Sequence, residues 1–96
     1  MPPQDEGDLY FPEPVPVTDT LDLHGFFPEQ TAEVLDAFLE NAAALGLRSL
    51  RIVHGKGRSR MKFEVIRFLQ ARSDVLRFHD APPGSGGWGA TLVEMR

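Results

Sequence analysis

Between residues 21 and 96 the apolar positions fall into six segments, and the period of each names an element. In Leu21-Asp22-Leu23-His24-Gly25 apolar and polar residues alternate, which predicts a strand ended by a glycine turn. From 28 to 45 the period lengthens to that of a helix. Val34, Leu35, Phe38, Leu39 and Ala42 fall on one stripe. Pro28 suits the first turn of that helix, Glu29, Glu33 and Asp36 suit its positive end, and Gly46 stops it. Residues 48–53 predict a second strand. Residues 60–72 predict a second helix with Met61, Val65, Phe68 and Leu69 inward and Ser59 as its N-cap. Val75 to His79 and Gly89 to Met95 predict two more strands, separated by the loop Pro82-Pro83-Gly84-Ser85-Gly86-Gly87. The order is β-α-β-α-β-β, an α/β two-layer sandwich with a mixed four-stranded sheet.

Residues 1–20 follow no such pattern. They hold five of the eight prolines and five acids (Asp5, Glu6, Asp8, Glu13, Asp19) with no Lys or Arg. This predicts an acidic, Pro-rich, extended arm, in which Leu9-Tyr10-Phe11 is the one apolar segment suited to docking. The arm carries −5, whereas residues 21–96 carry ten bases against nine acids, or +1. The total of −4 therefore hides a local excess of positive charge: seven bases between 48 and 67 face only Glu64. An acidic arm beside a basic patch is expected to mimic phosphate and compete for it. The chain has no cysteine, so disulfides and thiolate metal sites are excluded. No apolar run has membrane-spanning length and the start lacks a signal-peptide layout, so a soluble cytoplasmic protein without membrane partners is expected.

The chemistry-bearing residues gather at strand ends. His54-Gly55-Lys56-Gly57 joins the second strand to a helix start rich in bases, Arg58, Arg60 and Lys62. Glycines admit close backbone approach, and a helix N-terminus favours an anion, here a phosphate. In the first strand Asp22 and His24 share the face opposite Leu21 and Leu23. A helical crossover makes the first two strands parallel, so Asp22, His24, His54 and the 55–57 loop should meet at one edge of the sheet. A carboxylate, two imidazoles and a phosphate cradle are parts for phosphodiester cleavage. The imidazoles serve as base and acid, and Asp22 either orients a histidine or holds a hard metal ion such as Mg²⁺ or Mn²⁺. A zinc site from Asp22, His24 and His54 is compatible in composition only. The Walker pattern is absent, so no nucleotide cofactor is expected. Trp88 sits among glycines in Gly86-Gly87-Trp88-Gly89-Ala90-Thr91. It reads equally as a packed turn residue and as an aromatic platform for unpaired bases. His79 reads as structural.

Leu21-Asp22-Leu23-His24-Gly25, His54-Gly55-Lys56-Gly57 and Gly86-Gly87-Trp88-Gly89-Ala90-Thr91, in this order and spacing, resemble the Smr (small MutS-related) domain family over residues 21–96. The resemblance implies a sandwich similar to the C-terminal domain of a bacterial translation initiation factor. It also implies nucleic-acid binding and, as in several members, nicking of DNA or cleavage of RNA. The family's Asp-x-His motif falls on Asp22 and His24, and its loop motif on His54, Gly55 and Gly57. Many members continue the loop with Thr-Gly and then Leu-Arg; Arg58-Ser59-Arg60-Met61 stands there in this chain and makes it stiffer and more basic. No MutS-like ATPase part is present, so the chain resembles a stand-alone member. The leading expectation is an ATP-independent endonuclease or nickase with Asp22, His24 and His54 at the scissile phosphate. Gly55, Lys56, Gly57, Arg58, Arg60, Lys62 and Trp88 would bind the nucleic acid. The rival is a non-catalytic module docking on structured RNA, a ribosome or branched DNA. A weaker third reading is an adaptor that binds through its acidic arm.

Overall fold

The computed structural model describes residues 19–56 and 60–96. Its strands are β1 (Thr20–Asp22), β2 (Ser49–Val53), β3 (Val75–Asp80) and β4 (Ala90–Met95); its helices are α1 (Thr31–Ala44) and α2 (Arg60–Gln70). They form one mixed sheet in the order β1-β2-β4-β3. Strands β1 and β2 are parallel, with Leu21 opposite Ile52 and Asp22 opposite Val53. The α1 crossover accounts for this, because a helix returns the chain to the starting edge before the next strand begins. The last strand inserts between β2 and β3, antiparallel to both. Its first residue, Ala90, therefore lies beside Val53, at the C-terminal edge of β1 and β2.

Both helices cover one face of the sheet. Leu35, Leu39 and Ala42 of α1 and Val65 and Leu69 of α2 pack with Leu23, Leu50, Ile52, Val93 and Met95. Each fully buried Leu or Ile contributes roughly 1.5–3 kcal/mol. Val34, Phe38, Met61 and Phe68 line the margin of this core, half-buried. The helices are also joined by a buried hydroxyl: Thr31 Oγ1 donates to Met61 Sδ at 3.1 Å. A second tie is ionic. Arg72, just after α2, bonds Asp36 of α1 at 2.6 Å and both oxygens of Asp74 at 2.9 and 2.8 Å. These bonds hold the Asp74 carboxyl below the usual carboxylate range and raise the Arg72 guanidinium above its own.

The start of α1 and the start of the sheet differ from the expectations, whereas Gly46 ends α1 as expected. The turn at Pro28 is a separate 3-10 turn, Pro28–Gln30, because the Gln30 side chain accepts the Phe27 N–H at 2.8 Å and the helix proper starts at Thr31. At the other end of α1, Leu47 N–H donates to Ala42 and Gly46 N–H to Ala43, with Gly46 at φ +76°. That is a Schellman ending, and it requires a residue at ease in the left-handed region. Finally, the sheet begins before residue 21. Thr20 belongs to β1 and Asp19 accepts the Arg51 N–H at 2.8 Å, so these two residues are part of the fold and not of the arm. The arm itself, Ser59 as N-cap, and Gly57 and Arg58 lie outside the described residues. No helix among the described residues is long and apolar enough to cross a membrane.

Candidate active site at the sheet edge

Four of the expected residues, Asp22, His24, His54 and Gly55, meet where β1 and β2 end. Asp22, His24, Val53, His54 and Gly55 line an open depression of about 230 Å³. The strand pattern explains the convergence. Asp22 and Val53 are register partners on the face away from the helices, and His54 is one residue further, on the helix side. The depression thus straddles the lip of the sheet. Asp22 Oδ1 accepts the His24 N–H at 2.9 Å, a local turn that holds the carboxylate in place as the chain leaves β1. The side chains of Asp22 and His24 are exposed there.

His54 differs from them. It is buried, and both ring nitrogens are engaged. Nδ1 lies 3.1 Å from the Gly55 carbonyl, which can only accept, so Nδ1 carries the proton. Nε2 therefore accepts from Thr91 Oγ1 at 2.8 Å. Burial pushes the imidazole below its ordinary pKa. The Gly55 carbonyl acts the other way, the Lys62 charge lowers it further and Asp80 offsets part of that. His54 is therefore a neutral imidazole at neutral pH, and protonation of Nε2 would require the Thr91 hydroxyl to turn from donor to acceptor.

The same residue locks two loops together. The N–H groups of His54 and Gly55 both donate to the Gly89 carbonyl, at 3.1 and 2.9 Å. Gly55 makes this turn at φ +92°. The contact is so close that a Cβ on Gly89 would lie 2.8 Å from Lys56 Cγ and 3.1 Å from Lys56 N. Only glycine fits at 89.

The basic residues divide. Lys56 and Arg60 are exposed. Arg60 pairs with Glu29 at 3.6 Å, with both side chains mostly in water, an interaction of small worth that a phosphate can displace. Lys62 is tied down instead: its Nζ donates to Asp80 Oδ1 at 3.1 Å and to the Trp88 carbonyl at 3.2 Å. It joins α2 to the end of β3 and to the turn before β4. Trp88 itself is 53% exposed on that turn and is not a core residue. His79 is exposed, with Nδ1 2.9 Å from the Asp80 carbonyl.

Thr91 and Asp80 were not singled out from the sequence. Thr91 left a signal, because it shares the period-two face of Val93 and Met95, a core-facing place for a polar residue. Among the described residues no group of three His, Asp or Glu side chains is placed to hold a metal. With its ring nitrogens bonded inward, His54 does not suit a zinc site with Asp22 and His24. Asp22 remains as a single carboxylate facing solvent.

Two outcomes are expected from this geometry. Gly89→Ala should destabilise the protein by about 1–3 kcal/mol, the usual cost of overpacking. Gly84→Ala, where a Cβ meets nothing within 4 Å, should change little. Thermal unfolding of both variants checks this, and equal melting temperatures would contradict the interlock. The second concerns acid. Between the lowered folded pKa of His54 and its ordinary 6.5, the unfolded chain binds the proton better. Stability should therefore fall as pH drops below about 6.5 and stop falling on this account below the folded value. His54→Gln should flatten the change in melting temperature between about pH 7.5 and 5.5; an unaltered acid slope would remove His54 as its source.

Comparison with known proteins agrees with this architecture. The Smr domain family model matches residues 21–96. The endonuclease MutS2 of Thermus thermophilus is 35% identical over 96 residues, covering 100% of this chain and 13% of that protein. The endonuclease MutS2 of Helicobacter pylori is 37% identical over 84 residues, 88% of this chain and 11% of that protein. The chain thus spans only about an eighth of these curated relatives. Among solved structures, the Smr domain of Thermus thermophilus MutS2 superposes with a TM-score of 0.77 at 40% identity, covering 83% of this chain and 99% of that one. YdaL, a stand-alone small MutS-related protein from Escherichia coli, gives a TM-score of 0.77 at 33% identity over 84% of this chain and 66% of that one. An α/β sandwich with this mixed sheet, matched along residues 21–96, places the chain in the Smr domain family.

Proposed function

We propose that this domain is an ATP-independent endonuclease that nicks phosphodiester bonds in DNA or RNA. The observation that carries the reading is the pairing of an exposed carboxylate and an exposed imidazole, Asp22 and His24, in one depression at the sheet edge. Exposed Lys56 and Arg60 stand on the adjoining loop and helix start. The names of its relatives point the same way, since the MutS2 proteins are called endonucleases.

In this reading the phosphate lies in the depression, its charge met by Lys56 and Arg60. A water oxygen attacks phosphorus, one P–O ester bond breaks, and the leaving oxygen takes a proton. His24 is the group placed to accept the water's proton or to supply that of the leaving oxygen. Asp22 would hold Mg²⁺ or Mn²⁺. A lone carboxylate suits such an ion when substrate phosphate and water complete the shell, and the bound ion would supply Lewis-acid charge. His54 holds the phosphate loop against the Gly89 turn, with its Nδ1 proton held by the Gly55 carbonyl and its Nε2 lone pair by the Thr91 hydroxyl. Lys62 positions the Trp88 turn in the same way.

A non-catalytic docking module is the second reading, favoured by the inward bonding of His54. Single-turnover cleavage beside a binding titration separates the two. Asp22→Asn and His24→Ala should each lose at least about a hundredfold in rate. Affinity should change by less than about tenfold, or ~1.4 kcal/mol. Variants that cut like the wild type would place the chemistry elsewhere. Wild-type protein that binds supercoiled DNA or structured RNA but cuts neither with Mg²⁺ nor with Mn²⁺ would make it a docking module.

The arm enters as a competitor. Residues 1–18 carry four acids and no base, and their removal spares β1. Their deletion should tighten nucleic-acid binding at low salt and matter less as screening grows. Equal or weaker binding of the shortened chain at low salt would show that the arm does not compete.

A further inference from the structure

The depression is small for a nucleotide. Its volume of about 230 Å³ lies below the range of roughly 300–1,000 Å³ typical of sites that enclose an organic ligand. It takes a phosphate and the edge of a sugar, and leaves the bases to find a surface outside it. Two exposed rings supply one. Phe27 is 69% exposed and Trp88 53%. Phe27 follows pocket-lining His24 by three residues; Trp88 precedes Gly89, which abuts Gly55 and Lys56. In the sheet β2 lies between β1, after which the chain runs to Phe27, and β4, which Trp88 precedes.

Neither ring is exposed on a slack segment. The Phe27 N–H is held by the Gln30 side chain at 2.8 Å and its carbonyl accepts the Gln30 N–H at 2.9 Å. The Trp88 carbonyl accepts from Lys62, and Gly87 and Gly89 are bonded to Pro82 and Gly86. An aromatic ring left largely in water forgoes the free energy that its burial would supply. Two exposed rings, on main-chain segments that are held by hydrogen bonds and that adjoin the strand ends lining the depression, offer flat apolar faces to a polyanion bound there.

We infer that Phe27 and Trp88 are stacking platforms for bases on either side of the bound phosphate, and that the substrate is a locally unpaired strand. This rests on the nucleic-acid reading above. The strand must be unpaired because in a duplex each base face is already covered by its neighbours. Only an unstacked base presents a face to Phe or Trp, and such contacts are indifferent to sequence.

Trp88 is the sole tryptophan, so its fluorescence reports its own contacts. The full chain is titrated with an oligothymidylate, an oligouridylate and a blunt duplex of the same length. Either unpaired strand should quench Trp88 and the duplex should not; the stronger quencher names the sugar of the substrate. Phe27→Ala and Trp88→Ala should each weaken binding of the unpaired strand by about five- to over a hundredfold, the equivalent of ~1–3 kcal/mol per stacked base. Duplex affinity should change by less than about twofold, well under 1 kcal/mol. Phe27→Tyr should retain affinity and Phe27→Leu should lose it, which separates stacking from simple bulk. Leu45→Ala, an exposed apolar site after α1 at the opposite end of the sheet, should behave as wild type. Wild-type affinity of both ring variants for the unpaired strand, or an equal loss on the duplex, would overturn the platforms while leaving nucleic-acid binding intact. A wild-type chain that binds none of the three probes would overturn both readings.

Discussion

The site depends on one carbonyl. The Gly89 oxygen receives the N–H groups of both His54 and Gly55, and so fastens the loop after β2 to the turn before β4. The ring of His54 adds a second fastening through Thr91. Without these contacts the two loops would meet only through the first register pair, Val53 with Ala90. The interlock explains why the glycines of two distant motifs occur together. Gly55 supplies the turn that aims two donors at one acceptor, and Gly89 supplies the closeness.

This arrangement separates the tasks that titratable residues perform at the edge. His54 and Lys62 both point inward, one to Thr91 and the other to Asp80 and Trp88. Asp22 and His24 point outward from the short strand β1. Residues of the same chemical type therefore fall into a structural pair and a solvent-facing pair. The difference is environment: a buried imidazole with both nitrogens bonded stays neutral and still, whereas an exposed one can trade protons with a substrate.

Much of this was legible in the sequence. Period-two alternation at 21–24 was enough to put Asp22 and His24 on one face, and a crossover helix was enough to bring His54 to the same edge. What the pattern did not carry was the insertion of the last strand between β2 and β3. That placement sets Thr91 opposite Ile52 on one side and opposite Asp80 on the other, and so decides where the ring of His54 and the ammonium of Lys62 are drawn. Such pairings are long-range and leave only faint local traces, like a threonine on the core-facing side of β4. The 3-10 turn at Pro28 was missed for a smaller reason: a single side-chain bond from Gln30 moved the start of α1.

Strand β1 is only three residues long and, among the described residues, lies at the rim of the sheet with β2 as its sole neighbour. Asp22 is its last residue, and residues 1–18 join the chain just before it. At about 3.3 Å of rise per residue, four residues of extended chain put the root of the arm no more than roughly 13 Å from Asp22. The acids of residues 1–18 are thereby tethered near the depression, so that any contact they make with it is intramolecular, at the elevated local concentration, in the millimolar range, that short linkers create.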